Sequence, residues 1–203
     1  FEIAFQKNND SRQHPIITSG TGSGKTECFL IPIFARLLQE SSKWDSPAKL
    51  NEWWSPSNNE KKWTHSRANG KRKAAVRSMI LYPMNALVED QLTRLRSIFY
   101  SHNDLDTPEF FFGRYTGATP GSLKKPELLS KTKSERNDIA ALIKDINKVE
   151  NDKSLEEKEI QESIIQLQDP RRGEMYTRWD MMDSPPDILI SNFSMLNLML
   201  MRE

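Results

Sequence analysis

Ser19-Gly20-Thr21-Gly22-Ser23-Gly24-Lys25-Thr26 decides how the rest of this chain is read. The octet follows a short apolar segment, Pro15-Ile16-Ile17-Thr18, and precedes a helical pattern from Lys25 to about Gln39 that carries Phe29, Leu30, Phe34, Leu37 and Leu38. A phosphate chain needs backbone N–H donors at close range, so side chains must be absent where a loop wraps it. Gly20, Gly22 and Gly24 meet that need. Lys25 can reach the β and γ phosphates, Thr26 can ligate Mg²⁺, and the helix N-terminus adds its positive dipole end. Ser19 stands where the strict phosphate-loop pattern wants glycine.

Two further apolar segments lead into helical patterns, which is the alternation of βα units and a parallel sheet. Val76 to Tyr82 is broken by Pro83 and followed by a helix with Leu87, Gln91, Leu92, Leu95 and Phe99 near a 3.6 period. Asp187 to Ser191, bounded upstream by Pro185-Pro186, precedes an apolar helix from Ser194 to Met201, and Phe110 to Tyr115 reads as one more strand. Pro32 should kink the first helix. With 36% hydrophobic and 28% charged residues, a core forms only because the apolar residues are concentrated in these segments.

No apolar run approaches the roughly 18 residues of a membrane span, so the expectation is a cytoplasmic protein without membrane contact. The single cysteine, Cys28, excludes an internal disulfide, and His14, His65 and His102 have no metal-ligand spacing. A net charge of +1 means that nucleic acid would be bound by local clusters and not by a global field.

The octet with Ser19 resembles motif I of superfamily 2 helicases, and the match continues along the chain. Ile80-Leu81-Tyr82-Pro83-Met84-Asn85-Ala86-Leu87 looks like motif Ia, in which a strand end, a proline and a helix N-terminus offer amides to a DNA phosphate, with Asn85 as the helix cap. Tyr115-Thr116-Gly117 resembles the Thr-Gly element that follows, and Ser191-Asn192-Phe193-Ser194-Met195-Leu196 the element before motif II. Together with Arg178-Trp179-Asp180-Met181, the wording is similar to large bacterial DNA helicases, both MrfA-like repair helicases and those of phage-defence systems such as DISARM and Druantia.

The resemblance implies a RecA-like P-loop α/β domain with a parallel sheet, incomplete at residues 1–203, the first part of motor lobe 1. It implies ATP and Mg²⁺ held by Ser19, Gly20, Thr21, Gly22, Ser23, Gly24, Lys25 and Thr26, with Lys25 and Thr26 in the catalytic roles and Thr26 on the metal. Pro83, Asn85, Ala86, Leu87, Thr116, Gly117, Ser191 and Asn192 would line a track for DNA. The remaining lobes of the same protein and defence-system subunits are the expected partners. No apolar strand ends in the Asp-Glu pair that orients the attacking water, so motif II is expected beyond Glu203 and the segment alone should be inactive. An RNA helicase of the same superfamily and a non-catalytic nucleotide- or nucleic-acid-binding protein remain alternatives.

Two insertions separate the units. Residues 41–73 hold Trp44, Trp53, Trp54 and Trp63 and the basic residues Lys61, Lys62, Arg67, Lys71, Arg72 and Lys73, a composition that suits either base stacking on a single strand or a solvated loop with locally packed tryptophans. Residues 121–183 form a charged helical insertion, with Ile139, Leu142, Ile143, Ile146, Val149, Ile160, Ile164 and Leu167 on one face between Thr132 and Gln168. Arg171, Arg172 and Arg178 are expected to pair with neighbouring acids or to touch DNA.

Overall fold

The computed structural model describes residues 24–122 and 124–201, in one unit up to Trp44 and a second from Asp45 onward. In the first, helix α1 (Lys25–Ser41) runs unbroken through Pro32, with Leu30 and Leu37 buried two turns apart on one face. The expected strand at Pro15 to Thr18 and loop residues Ser19 to Ser23 lie outside the described residues.

The second unit is built on a parallel four-stranded sheet in the order β1-β4-β2-β3, formed by β1 (Ser78–Tyr82), β2 (Phe112–Tyr115), β3 (Glu174–Met175) and β4 (Ile188–Asn192). Every residue of β4 is buried, which explains its continuous apolar run and its place inside the sheet. Helix α2 (Asn85–His102) follows β1 and packs on the sheet through Val88, Leu92, Leu95 and Phe99. Leu87 is not on that face: it is 40% exposed, and Val88 takes the inward position. Phe99 stacks on Phe112 with ring centroids 4.9 Å apart, and Arg96 on the same helix grips Glu174 of β3 with two hydrogen bonds of 2.7 and 2.8 Å. Burial works against the Arg96 charge, but Glu174 outweighs it and holds the guanidinium above its ordinary value.

The stretch 121–183 is more than a helical insertion. It carries α3 (Lys133–Glu150), α4 (Glu157–Ile164) and α5 (Arg178–Asp183), but also β3, which completes the sheet. Ile139, Ile146 and Ile164 are buried as their spacing implied. The last helix, α6 (Phe193–Leu200), leaves β4 directly and is capped by Asn192, whose side chain accepts from the Met195 N–H.

Three of the four tryptophans of the other insertion are core, not base-stacking surface. Trp53, Trp54 and Trp63 are buried at 0%, 4% and 5% exposure and join Trp179, Phe111 and Met181 in one cluster with edge-to-face ring pairs 5.6 to 6.4 Å apart. Its polar anchor is Asp180. That carboxylate is buried and accepts from Trp53 Nε1 at 3.1 Å, from the Ser66 N–H at 2.8 Å and from the Ser66 hydroxyl at 2.7 Å. Burial pushes the Asp180 carboxyl above the usual range, and the three donors act in the opposite sense. Two of the six basic residues are also structural: Arg67 donates to the Pro185 carbonyl and lies 4.5 Å over the Phe111 ring, and Arg72 chelates Asp187. Burial pulls the Arg67 guanidinium down to about 10. Lys61, Lys62, Lys71 and Lys73 remain exposed.

Asp180→Asn replaces an acceptor oxygen by an NH₂ group that faces buried donors, which should cost about 2 kcal/mol. Hydrogen exchange followed by mass spectrometry on the full-length protein should show peptides from residues 50–67 exchanging roughly 30-fold faster in that variant. Unchanged protection there would show that Asp180 does not anchor the insertion.

Candidate nucleotide and nucleic-acid site

A parallel sheet presents the carboxyl ends of its strands at one edge, and the residues that follow them are brought together there. Tyr82 at the end of β1 is in register with Asn192 at the end of β4, and Tyr115 at the end of β2 is in register with Ser191. The loops at Pro83-Met84-Asn85, Thr116-Gly117 and Ser191-Asn192 therefore leave the sheet side by side. Elements separated by 107 residues meet: Asn192 Nδ2 donates to Asn85 Oδ1 at 2.6 Å.

Side chains at this edge are turned mostly to the protein itself. The Ser191 hydroxyl is buried and donates to the Tyr115 carbonyl at 2.5 Å. Asn192, besides holding Asn85, caps α6. Asn85 does not cap α2; Met84 takes the cap position without a side-chain bond, and Asn85 is the first residue inside the helix. Ala86 follows it as a helical residue. Thr116 is fully buried, and its hydroxyl accepts from the Ala118 N–H at 3.3 Å, while Thr119 Oγ1 accepts from the Thr116 N–H at 2.9 Å and donates to the Arg114 carbonyl at 2.7 Å. Pro83, Met84, Asn85, Leu87 and Gly117 are exposed, the last with open space where a side chain would be.

Arg178 supplies a feature the sequence reading missed. Its Nη2 donates to the carbonyls of Thr116 and Gly117, both at 2.9 Å, and so holds the Thr-Gly turn in shape. The motif wording Arg178-Trp179-Asp180-Met181 was the available signal: Asp180 anchors the tryptophan cluster and Arg178, two residues earlier, carries that rigidity to the turn. Arg171 behaves as expected, chelating Asp169 with two bonds of 2.9 Å. Arg172 also faces Asp169, Nε to Oδ2 at 3.9 Å, and in addition donates to the Tyr100 and Asn103 carbonyls and lies 4.2 Å over the Tyr100 ring.

Of the candidate phosphate loop, the described part is its junction with α1. Gly24 has φ +76°, a left-handed conformation that L side chains rarely adopt, and its carbonyl accepts the Cys28 N–H at 3.1 Å to open the helix. Lys25, Thr26 and Glu27 form the first turn of α1, the position at which helix amides attract anions. A glycine that must be glycine, followed by a lysine, a hydroxyl and a helix start, is a donor set that fits a Mg²⁺–nucleotide. Among the described residues no cluster of His, Cys, Asp or Glu could hold a metal by itself, and no helix is long and apolar enough to cross a membrane.

Comparison with known proteins agrees with this arrangement. A family model described as DEAD/DEAH box helicase matches residues 4–160. Druantia protein DruE of Escherichia coli (strain UMEA 4076-1) is 30% identical over 229 residues, an alignment that takes in 92% of this chain and 11% of that protein. The chain thus spans about a tenth of the length of that relative. No solved structure matches. With the parallel sheet, the in-register strand ends and a family match over most of its length, the chain belongs to the DEAD/DEAH box helicases of superfamily 2 and carries a RecA-like α/β fold.

Proposed function

We propose that this chain is the nucleotide-binding part of the first motor lobe of an ATP-dependent DNA helicase or translocase acting in phage defence. The observation that carries the reading is the register of the strand ends, Tyr82 with Asn192 and Tyr115 with Ser191, which sets the motif loops side by side at the sheet edge. The likeness to Druantia protein DruE supports the defence role, and the choice of DNA rests on the resemblance of the motif wording to bacterial DNA helicases.

In this reading Ser19 to Thr26 wrap the phosphates of ATP, Lys25 neutralises charge on the transferred phosphoryl group, and Thr26 is the protein ligand to Mg²⁺. The bound metal would supply charge neutralisation between the β and γ phosphates. Pro83 to Leu87, Thr116-Gly117 and Ser191-Asn192 form the track, and their contact to a strand is through backbone groups, because the Thr116, Ser191 and Asn192 side chains are engaged within the protein. Arg178 keeps the track's central turn in position. In this reading the carboxylates that orient water and the second lobe would come from other parts of the motor, and defence-system subunits would be separate partners.

Lys25→Ala in the full-length protein should abolish nucleic-acid-stimulated ATP hydrolysis, since its loss removes stabilisation of charge in the transition state. Wild-type turnover in that variant would sink the phosphate-loop assignment. DNA and RNA single strands of one sequence, competed in the same ATPase assay, decide the polymer: stimulation by DNA, unaffected by excess RNA, is expected, and the reverse order would make this an RNA motor. Arg178→Ala should raise the DNA concentration needed for half-maximal stimulation about tenfold while basal hydrolysis without DNA stays the same, as a positioning role requires. An equal loss of basal rate would place Arg178 in general folding instead.

A further inference from the structure

The chain beyond the Thr-Gly turn does not drift into solvent. The Arg178 N–H donates to the Pro120 carbonyl at 2.9 Å, and Trp179 Nε1 donates to the Ser122 carbonyl at 2.8 Å. Gly121 between them has φ +96°, and a Cβ there would stand 3.0 Å from Trp179 Cε2. The loop is therefore moulded onto the indole, and it opens a pocket of about 370 Å³ whose wall includes Lys124, Lys125, Glu127, Leu128, Lys131 and Trp179. That volume lies within the roughly 300–1,000 Å³ of ordinary ligand sites.

Its charge is unbalanced. Lys125 is taken up by Asp183 at 2.5 Å, and Glu127 is the one acid in the lining. Lys124 and Lys131 are exposed and form no ion pair among the described residues. Trp179 is only 4% exposed, so its ring is a wall and has little face left on which a base could stack. Two free ammonium groups over a mostly closed aromatic wall suit a phosphodiester, not a nucleobase.

The pocket wall is also next in sequence to the residue that holds the Thr-Gly turn. Arg178 holds the Thr116 and Gly117 carbonyls, and the next residue, Trp179, is the pocket wall. We infer that Lys124 and Lys131 extend the nucleic-acid path beyond the motif loops, contacting the sugar-phosphate backbone of the single strand that passes Gly117. The inference rests on the nucleic-acid reading above and adds to it a contact that lies outside all of the helicase motifs.

The test uses the full-length protein with Lys124→Gln and Lys131→Gln together. Binding to single-stranded DNA and RNA of one sequence is measured across a salt series, with the slope read on whichever binds. Each lost phosphate contact contributes about 0.7 to the slope of log K against log salt, so the double variant should flatten it by about 1.4, with basal ATP hydrolysis unchanged. Lys144→Gln with Lys153→Gln, the same charge change at exposed positions elsewhere, should leave the slope as it was. An unchanged slope in the Lys124/Lys131 variant, with the wild type binding normally, overturns the inference and leaves the track reading standing. A wild type that binds neither polymer overturns both. Loss of binding to a poly-glutamate probe with the nucleic-acid slope intact would assign the pocket to an acidic protein partner and also overturn it.

Discussion

The carboxylate of Asp187 sets the geometry on which the functional edge depends. It is fully buried at the amino end of β4 and receives both terminal nitrogens of Arg72, at 2.5 and 2.8 Å, Arg77 Nη1 at 2.8 Å and the Phe111 N–H at 2.9 Å. Its backbone carbonyl accepts from the Arg77 and Ser78 N–H groups, and its own N–H donates to the Phe111 carbonyl. One residue thus fastens the starts of β1, β2 and β4. Desolvating a carboxylate is costly, and only a full set of charge-assisted bonds offsets it; a slipped register would leave that charge unpaired. Because strand lengths are short, fixing the amino ends fixes the carboxyl ends, five residues away along β1 and β4. The pairing of Tyr82 with Asn192 and of Tyr115 with Ser191 is the far-end consequence of this clamp.

Arg72 reaches Asp187 from the tryptophan-rich insertion, so the insertion is part of how the sheet is held and not an appendage to it. This is also where sequence reading met its limit. A run such as Ile188-Leu189-Ile190 between Pro185-Pro186 and a helix start declares a buried strand, because continuous apolar residues have no alternative place. The region 45–72 has no helix or strand in the structure, so no period exists to be read; Trp53, Trp54 and Trp63 are buried by meeting Trp179 and Met181 more than 100 residues later. Contacts at that separation leave no local trace. The same holds on a smaller scale for α2, where the apolar stripe was legible but its centre lay one residue off, at Val88 and not Leu87.

At the site, the motif loops and their order were legible, whereas the duties of their side chains were not. Residue type marks a hydroxyl or an amide as able to contact a phosphate, but which partner it takes is decided by what the fold brings within reach. Ser191 finds the Tyr115 carbonyl, Asn192 finds Asn85 and the start of α6, and Arg178 finds two carbonyls where an acid had been expected. These are three-dimensional coincidences of separate segments.

That outcome has a physical use for a motor. A protein that must move along any sequence gains from touching the polymer through groups that carry no sequence information, and backbone amides at strand ends and helix starts are such groups. Amides can be aimed only by holding the chain rigidly, which is what Ser191, Asn192, Thr116 and Arg178 do with their side chains. Their residue types are then set by the geometry of the turn and not by the chemistry of the proposed polymer. The cluster of Trp53, Trp63, Trp179 and Asp180 extends the same logic inward, since Arg178 can hold a turn steady only if the short helix that begins with it is itself immobile.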